Sequence, residues 1–308
     1  MKNKITIVGA GMVGATVAHS VVMKNIAEEV ALIDINEKLA TAQAMDLQHA
    51  VPFAGQIEVK VGSYEDCRDS AVAVITCGVA QKPGETRLEL LNKNAKIVSG
   101  VAEEIFANNP DIVLVVVTNP VDVLTRILLE KYPEKKQQIF GTGTLLDSAR
   151  FRHLLGKKLD INPKSIHAYI LGEHGDSEFP LWSNASVGNM KLGVCQEISD
   201  QEKTEIFEQV KNAAYKIIAG KKSTYYAIGA GTAYLLEVIL RNKKTVLPVS
   251  YLVDEKYGLP AVSLSMPAII GRRGILGKIC LDLSEEEKLN LQHSAEVLEE
   301  AYQGLSII

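Results

Sequence analysis

Short runs of apolar, often β-branched residues alternate with amphipathic segments through the first half of the chain. Apolar runs of this length are typical of parallel strands that are buried on both faces. Regular alternation of such strands with helices predicts a doubly wound parallel sheet. The predicted strands are KITIVGA (4–10), VALIDI (30–35), IEVKVG (57–62), AVAVITCG (71–78), DIVLVVVTN (111–119) and QQIFGTG (137–143).

The pattern changes near residue 145, where longer helical segments alternate with strand-like ones. The predicted helices there are LLDSARFRHLLGKKL (145–159), SDQEKTEIFEQVKNAAYKIIAG (199–220), TYYAIGAGTAYLLEVILRN (224–242) and a final charged helix over 284–305. The strand-like segments are SIHAYILG (165–172), TVLPVSYLVD (245–254) and AVSLSMPAIIG (261–271). We therefore predict an α/β domain of the Rossmann type over 1–145 and a mixed α+β substrate domain over 146–308, with a site between them.

Composition narrows the class of protein only slightly. The chain has 308 residues, 47% of them hydrophobic, and a formal net charge of −4, so neither nucleic acid nor an anionic membrane surface is an expected partner. No apolar run is long enough to span a membrane, and the N-terminus lacks the apolar core of a signal peptide. The four cysteines are widely scattered, which argues against a zinc site and favours a reducing cytoplasm; we expect no metal.

Three glycines follow the first predicted strand in the spacing G-x-G-x-x-G. In this context Gly9 permits a tight turn, Gly11 lets the backbone approach a pyrophosphate, and Gly14 lets the following helix pack on the strand. Asp34, twenty residues after Gly14, ends the second strand, where a carboxylate binds a ribose hydroxyl and repels a 2'-phosphate. The alternative is a glycine turn beside a helix-capping aspartate. The motif predicts NAD as cofactor, bound by Gly9, Gly11, Met12, Val13, Gly14 and Asp34.

Two further loops are expected at the same edge of the sheet. The segment VAQKPGETR (79–87) follows the fourth strand, and Gly84 within it is a candidate hinge for a lid that carries Arg87 over a substrate. The alternative for Arg87 is a solvated cation at the start of a helix. Asn119 ends the fifth strand, where it either bonds a carboxamide or stabilises the Asn-Pro turn.

The helix after residue 145 and the segment GEHGDS carry the candidate catalytic groups. Asp147 and Arg150 are three residues apart and share a helix face, so Arg150 can grip a carboxylate while Asp147 accepts the N–H of a histidine. His174, held in this way, can donate and accept a proton near neutral pH. The alternatives are an intrahelical ion pair for Asp147 and Arg150, and a structural or metal-bound histidine for His174.

The motifs GAGMVG, IDI, QKPGETR, TNPVD, LDSARFR and GEHGDS occur in the order and spacing of the L-lactate/L-malate dehydrogenase family, which the chain resembles over essentially its whole length. The resemblance implies His174 as the proton donor and acceptor, Asp147 as its orienting partner, and Arg150 as the group that binds the substrate carboxylate. It also implies that Arg87 polarises the substrate carbonyl. Further positions implied for the substrate or nicotinamide are Asn119, Thr224 and Ile228.

Gln81 occupies the family position that faces the variable group of the substrate. Malate dehydrogenases resemble one another in having arginine there, whereas Gln81 is neutral and would leave the second carboxylate of oxaloacetate without an ionic partner. We therefore expect pyruvate and L-lactate as substrates, with L-malate or a bulkier 2-hydroxy acid as the alternative. An NAD-binding sensor or structural oligomer without activity is the alternative from outside the enzymes.

Arg152 and His167 match positions that form a fructose 1,6-bisphosphate site across a subunit interface in many bacterial relatives. Arg152 lies two residues beyond Arg150 and so points away from the substrate side of its helix. A guanidinium and an imidazole suit a phosphate, and two-fold symmetry would double them. Contact with acidic groups of a neighbouring subunit is the alternative. The resemblance also implies a homo-oligomer, with a tetramer expected.

Overall fold

The computed structural model describes residues 3–79, 84, 86–195, 197–253 and 257–305. Strands and helices alternate strictly in the first half of the chain. The elements there are β1 (Lys4–Val8), α1 (Met12–Lys24), β2 (Glu29–Ile33), α2 (Glu37–Ala50), β3 (Glu58–Val61), β4 (Val72–Ile75), α3 (Arg87–Asn108), β5 (Val113–Val116), α4 (Val121–Lys131) and β6 (Ile139–Gly141).

The second half mixes short strands, helices and one long antiparallel hairpin. Its elements are α5 (Leu145–Leu159), β7 (Ile166–His167), β8 (Ile170–Leu171), β9 (Phe179–Pro180), β10 (Ser186–Val187), β11 (Met190–Lys191), α6 (Leu192–Cys195), α7 (Asp200–Lys211), α8 (Ala213–Lys221), α9 (Tyr226–Leu240), β12 (Thr245–Leu252), β13 (Ser263–Gly271), β14 (Gly274–Lys278) and α10 (Glu285–Gln303).

The main sheet confirms the predicted doubly wound fold. Its strand order is β14-β13-β12-β6-β5-β4-β1-β2-β3, and the six strands from β6 to β3 run parallel. Chain order therefore reverses between β1 and β4, and in this class of sheet the carboxyl ends of the strands at such a point form the ligand crevice. The antiparallel strands β12, β13 and β14 extend the same sheet, because Ser250 of β12 pairs with Gly141 of β6. The two halves of the chain thus share one sheet.

Two predicted elements are divided in the structure. The helix expected over 199–220 breaks at Asn212 into α7 and α8, and the Asn212 side chain bonds the Glu208 carbonyl and carboxylate. Asparagine side chains compete with the backbone for such bonds and so weaken a helix interior. The predicted strand over 165–172 forms two separate pairs, β7 with β10 and β8 with β9.

Buried hydrogen bonds join α5 to the strand that leads into the GEHGDS segment. Thr144 Oγ1 donates to the Ile170 carbonyl over 2.6 Å, and Ser148 Oγ accepts the Ile170 N–H over 2.9 Å. The same face of α5 buries Phe151 and Leu155 in a second apolar core, which also contains Ile170. These hydrogen bonds and this packing fix the first turn of α5 relative to β8. Within the described residues, no helix combines the length and apolar character needed to cross a membrane.

Candidate active site

The glycine turn after β1 has the shape of a dinucleotide cradle. Gly9 has a φ of +106°, and a Cβ there would lie 2.6 Å from the Cys77 amide nitrogen. A Cβ on Gly14 would lie 1.8 Å from the Gly9 carbonyl oxygen, so α1 approaches the turn at a distance that only glycine permits. A Cβ on Gly11 would meet nothing within 4 Å, which leaves space above the turn. These are the three roles that pyrophosphate binding requires of such a turn.

The carboxylate of Asp34 is fixed beside this turn. Its Oδ2 accepts the Ala10 N–H over 2.7 Å and its Oδ1 accepts the Asn36 N–H over 2.8 Å. Met12 and Val13 begin α1, so their amides lie at the positive end of the helix dipole. Gly11 has no side chain to cap them. The turn, the helix end and the carboxylate together fit a dinucleotide with an unmodified ribose.

Asn94 of α3 joins the loops that follow β4 and β5. Its buried amide accepts the Val79 N–H over 2.9 Å and donates to the Asn119 carbonyl over 3.3 Å. Asn119 therefore stands at the carboxyl edge of the sheet, as its position after the fifth strand predicts. Gln81 lies outside the described residues. Arg87 begins α3, but its side chain is also outside the description.

Asp147, Arg150 and His174 come together at the start of α5. Asp147 is 1% exposed; its Oδ2 accepts the proton on His174 Nδ1 over 2.6 Å, and its Oδ1 accepts an Arg150 Nη1–H over 2.6 Å. The carboxylate thereby sets the tautomer of the imidazole, so Nε2 is the atom left to exchange a proton with a ligand. A guanidinium has five N–H donors, and those that Asp147 does not use remain for a carboxylate.

The loop that carries His174 is fixed from three sides. Gly172, with a φ of +89°, exchanges two backbone hydrogen bonds with Ser265 of β13. Ser294 Oγ of α10 accepts the Glu173 N–H over 2.6 Å. Asp122, in the first turn of α4, accepts the His174 N–H over 2.7 Å. The imidazole is therefore positioned by both halves of the chain.

Charge within the site favours a protonated histidine. Burial opposes the charge on His174, but the Asp147 carboxylate and its hydrogen bond outweigh that and raise the pKa of His174 to about 9. Burial likewise disfavours the charge on Asp147, yet His174 and Arg150 hold the pKa of that carboxyl below its usual range. At neutral pH the pair is therefore an imidazolium and a carboxylate, a state that can donate a proton.

Asp147, His174 and Glu178 are also spaced as metal ligands would be. One ligand atom from each lies within 4.8 Å of the other two. Both oxygens of Asp147 are engaged, one by the imidazole proton and one by the Arg150 cation. A metal ion bound to Asp147 would have to displace at least one of these two positive partners, so the arrangement suits proton transfer better than metal binding.

The remaining predicted residues lie on neighbouring elements. Thr224 precedes α9, and Ile228 lies in its first turn, partly buried against the main core. Helix α9 packs on α1, since a Cβ on Gly229 would lie 2.5 Å from the Thr16 side chain. Arg152 is half-buried on α5, and its Nε donates to the Ser148 carbonyl over 3.3 Å. His167 is exposed on β7, against which α5 packs.

The sequence pattern did not identify three residues that position the site. Asn94, Asp122 and Glu178 are buried polar groups, but nothing in a helical or strand pattern separates them from exposed ones. Asp122 lies in the motif TNPVD, and Glu178 lies four residues after His174. Their closeness in sequence to TNPVD and to His174 was therefore the only indication that Asp122 and Glu178 belong to the site.

A dinucleotide cradle beside a histidine–carboxylate pair and a guanidinium defines the class of NAD-dependent oxidoreductases. The chain belongs to the lactate/malate dehydrogenase family. Residues 3–141 match the family's NAD binding domain, and residues 144–305 match its alpha/beta C-terminal domain. NAD is the cofactor that this family membership and the cradle indicate.

The relatives and structural neighbours cover nearly the whole chain. L-lactate dehydrogenase 2 and L-lactate dehydrogenase 1 of Bacillus cereus are each 44% identical to it over 97% of its length and 96% of their own. The crystal structure of a lactate dehydrogenase from a Medee basin deep-sea metagenome library matches with a TM-score of 0.96, at 38% identity over 99% of both chains. The minor L-lactate dehydrogenase of Enterococcus mundtii, in a ligands-bound form, also has a TM-score of 0.96, at 36% identity over 100% of this chain and 99% of its own.

Proposed function

We propose that the protein is an L-lactate dehydrogenase that interconverts pyruvate and L-lactate. The observation that carries the proposal is the contact of one buried carboxylate, Asp147, with both His174 and Arg150. This contact joins a proton donor to a carboxylate-binding group, and a 2-keto acid has a carbonyl and a carboxylate on adjacent carbons. The names of the relatives support the same activity.

In the proposed mechanism NADH supplies the hydride to the carbonyl carbon. Arg150 binds the substrate carboxylate through N–H groups that Asp147 leaves available, which orients the carbonyl toward His174. His174 Nε2 gives its proton to the carbonyl oxygen as the alkoxide develops. Asp147 stabilises the imidazolium before the transfer and keeps the ring in the same orientation afterwards. The reverse reaction uses the same groups, with neutral His174 taking the hydroxyl proton.

The other residue roles extend this proposal. Gln81 contacts the methyl group of pyruvate, and Arg87 polarises the carbonyl when the loop around Gly84 closes. Gly84 has a φ of +82° and its Cβ position is open, which supports a hinge. Asn119 contacts both the nicotinamide and the substrate, Thr224 lines the substrate pocket, and Ile228 packs against the nicotinamide.

Oxidation of hydroxy acids tests the proposed activity. With NAD present, L-lactate is expected to be oxidised at least about a hundredfold more efficiently than D-lactate. Arg150 and His174 fix the carboxylate and the hydroxyl on the chiral carbon, and the hydrogen that is transferred must face the nicotinamide, so three groups are positioned. NADH absorbance measures the rate. L-malate in the same assay tests the alternative: a rate above that of L-lactate would contradict the proposal.

We further propose that fructose 1,6-bisphosphate activates the enzyme through Arg152 and His167. Adding it at subsaturating pyruvate is expected to lower the apparent KM about tenfold, which corresponds to a coupling free energy of about 1.4 kcal/mol. Arg152→Gln should abolish the response and leave saturated turnover intact, while the exposed Lys157→Gln on the same helix should respond normally. An unchanged KM in the unaltered enzyme would contradict effector binding.

A homotetramer acting in the cytoplasm completes the proposal. Helix α8 buries none of its residues, although it includes Tyr215, Ile217 and Ile218. Exposed apolar side chains grouped on one helix are typical of a surface that another subunit covers. This supports association of the chain with copies of itself, which an effector site shared between subunits also requires.

A further inference from the structure

Glu178 is a buried carboxyl group next to the catalytic pair. It is 6% exposed, and one of its oxygens lies within 4.8 Å of ligand atoms of both Asp147 and His174. Its backbone is fixed because the next residue, Phe179, pairs with Leu171 in the short sheet formed by β8 and β9. Glu178 is therefore held in the site by the strand that leaves the His174 loop.

The surroundings of Glu178 differ from those of Asp147 in one respect. Asp147 bonds two cationic groups, whereas no cation within the described part of the chain lies within ion-pair distance of Glu178. Asp147 is therefore the carboxylate that pairs with both cationic groups, Arg150 and His174. A second ionised carboxylate beside it would be buried, unpaired and next to a like charge, and each of these conditions disfavours the charged form.

Charged groups on the elements around Glu178 contribute to this balance. Asp147 and Arg150 lie on α5, His174 on the preceding loop, and Lys203 and Lys211 on α7. Glu286, Glu287 and His293 of α10 line the same cleft as Glu178, as do Asp176 and Asp200. Burial and the Asp147 charge outweigh the attraction of His174, Arg150 and Lys211, and they raise the pKa of Glu178 to about 9.

Glu178 is also one of the residues that line a cleft of about 630 Å³. Trp182 and Phe207 form part of its wall, and Lys211 and His293 lie along it. The cleft is open to solvent, so water reaches the part of the site that contains Glu178 from this side.

We propose that Glu178 is a neutral, proton-bearing positioning residue that acts through His174, and that its ionisation ends pyruvate reduction at alkaline pH. This rests on the proposed function. While Glu178 is neutral, it does not compete with the substrate carboxylate for Arg150 or with Asp147 for the protonated His174. Once ionised, it repels the incoming carboxylate and competes with Asp147 for the imidazolium.

The sign of the effect of pH follows from counting protons. The active form has protons on both Glu178 and His174, and losing either one inactivates the site. When two groups of similar pKa must both stay protonated, the first apparent pKa lies below either one by about 0.3 units. Removing one of the two titrating groups therefore moves the alkaline fall in kcat/KM toward higher pH.

Glu178→Gln tests the proposal, because glutamine has the shape of the protonated acid and cannot ionise. At pH 7 its kcat/KM for pyruvate is expected within threefold of the unaltered enzyme, and its alkaline fall should move up by about 0.3 pH units or more. Glu178→Asp retains a titrating carboxyl, so its kcat/KM should fall near the same alkaline pH as that of the unaltered enzyme. Glu286→Gln, an exposed carboxyl of the same cleft, should change neither value.

Infrared difference spectra between the unaltered protein and each variant measure the charge state of Glu178 without substrate. The unaltered protein with NADH should show a protonated-carboxyl band at pH 7 that Glu178→Gln removes and Glu178→Asp shifts. Either of the two variants assigns the band if the other does not fold. A missing band, a loss above a hundredfold at pH 7 with normal NADH binding, or an unmoved alkaline fall would each overturn the proposal. Failure of the proposed function would appear separately, as absence of pyruvate turnover in the unaltered protein.

Discussion

Replacing His174 with asparagine is expected to lower kcat/KM for pyruvate reduction by about 10³-fold. A positioned general acid contributes about 10²–10⁴-fold to such a reaction, and asparagine has no proton to transfer at neutral pH. Asparagine retains an N–H that can reach Asp147, so the carboxylate is not left unpaired. Steady-state initial rates of NADH oxidation, measured at saturating NADH, give the change.

Two controls separate loss of chemistry from loss of structure. The NADH dissociation constant of His174→Asn should stay within about threefold, because the glycine cradle and Asp34 lie on other elements. His153→Asn, an exposed histidine on α5, should keep full activity. If His174→Asn retained more than a tenth of the activity, His174 would not be the proton donor.

Gln81→Arg is expected to reverse the preference between pyruvate and oxaloacetate. An arginine facing the methyl group of pyruvate leaves a charge without a partner, which costs about 2–5 kcal/mol, whereas the second carboxylate of oxaloacetate supplies that partner. The ratio of the two kcat/KM values should therefore change by about 10³-fold in favour of oxaloacetate. Initial rates with the two keto acids, each over a range of concentrations, measure it.

The charge change itself requires a control. Gln137→Arg places the same new charge on an exposed residue before β6, and it should leave the ratio unchanged. If Gln81→Arg also left the ratio unchanged, another residue would determine which keto acid binds.

Much of the fold could be predicted from the sequence because parallel strands buried on both faces have a simple pattern. The six apolar runs of the first half became β1 to β6, and α5 has the bounds that its pattern gave. The joining of β12 to β6 depends on a single pair between distant residues, which local patterns do not encode. Lys4 begins β1 as a buried lysine bonded to Asp66 and Asp69, although a lysine there is typical of an exposed strand end.

The site was predictable where residue type and spacing imply chemistry. Asp147 and Arg150 were placed on one helix face by their separation, and the structure brings His174 to the same carboxylate. Asp122 and Glu178 were not predictable, since their importance comes from burial beside His174 and burial is a property of the tertiary packing. The charge state of Glu178 in particular depends on which carboxylate the cations already occupy.

We propose that this family member reduces pyruvate in preference to oxaloacetate, and the ratio of kcat/KM for the two keto acids decides the question. The measurement requires only the unaltered protein, NADH and the two keto acids under one set of conditions. A ratio of about a hundredfold or more in favour of pyruvate is the predicted result, because the neutral Gln81 offers no ionic partner to a second carboxylate. A preference for oxaloacetate would contradict the proposed function and show that another group supplies that charge.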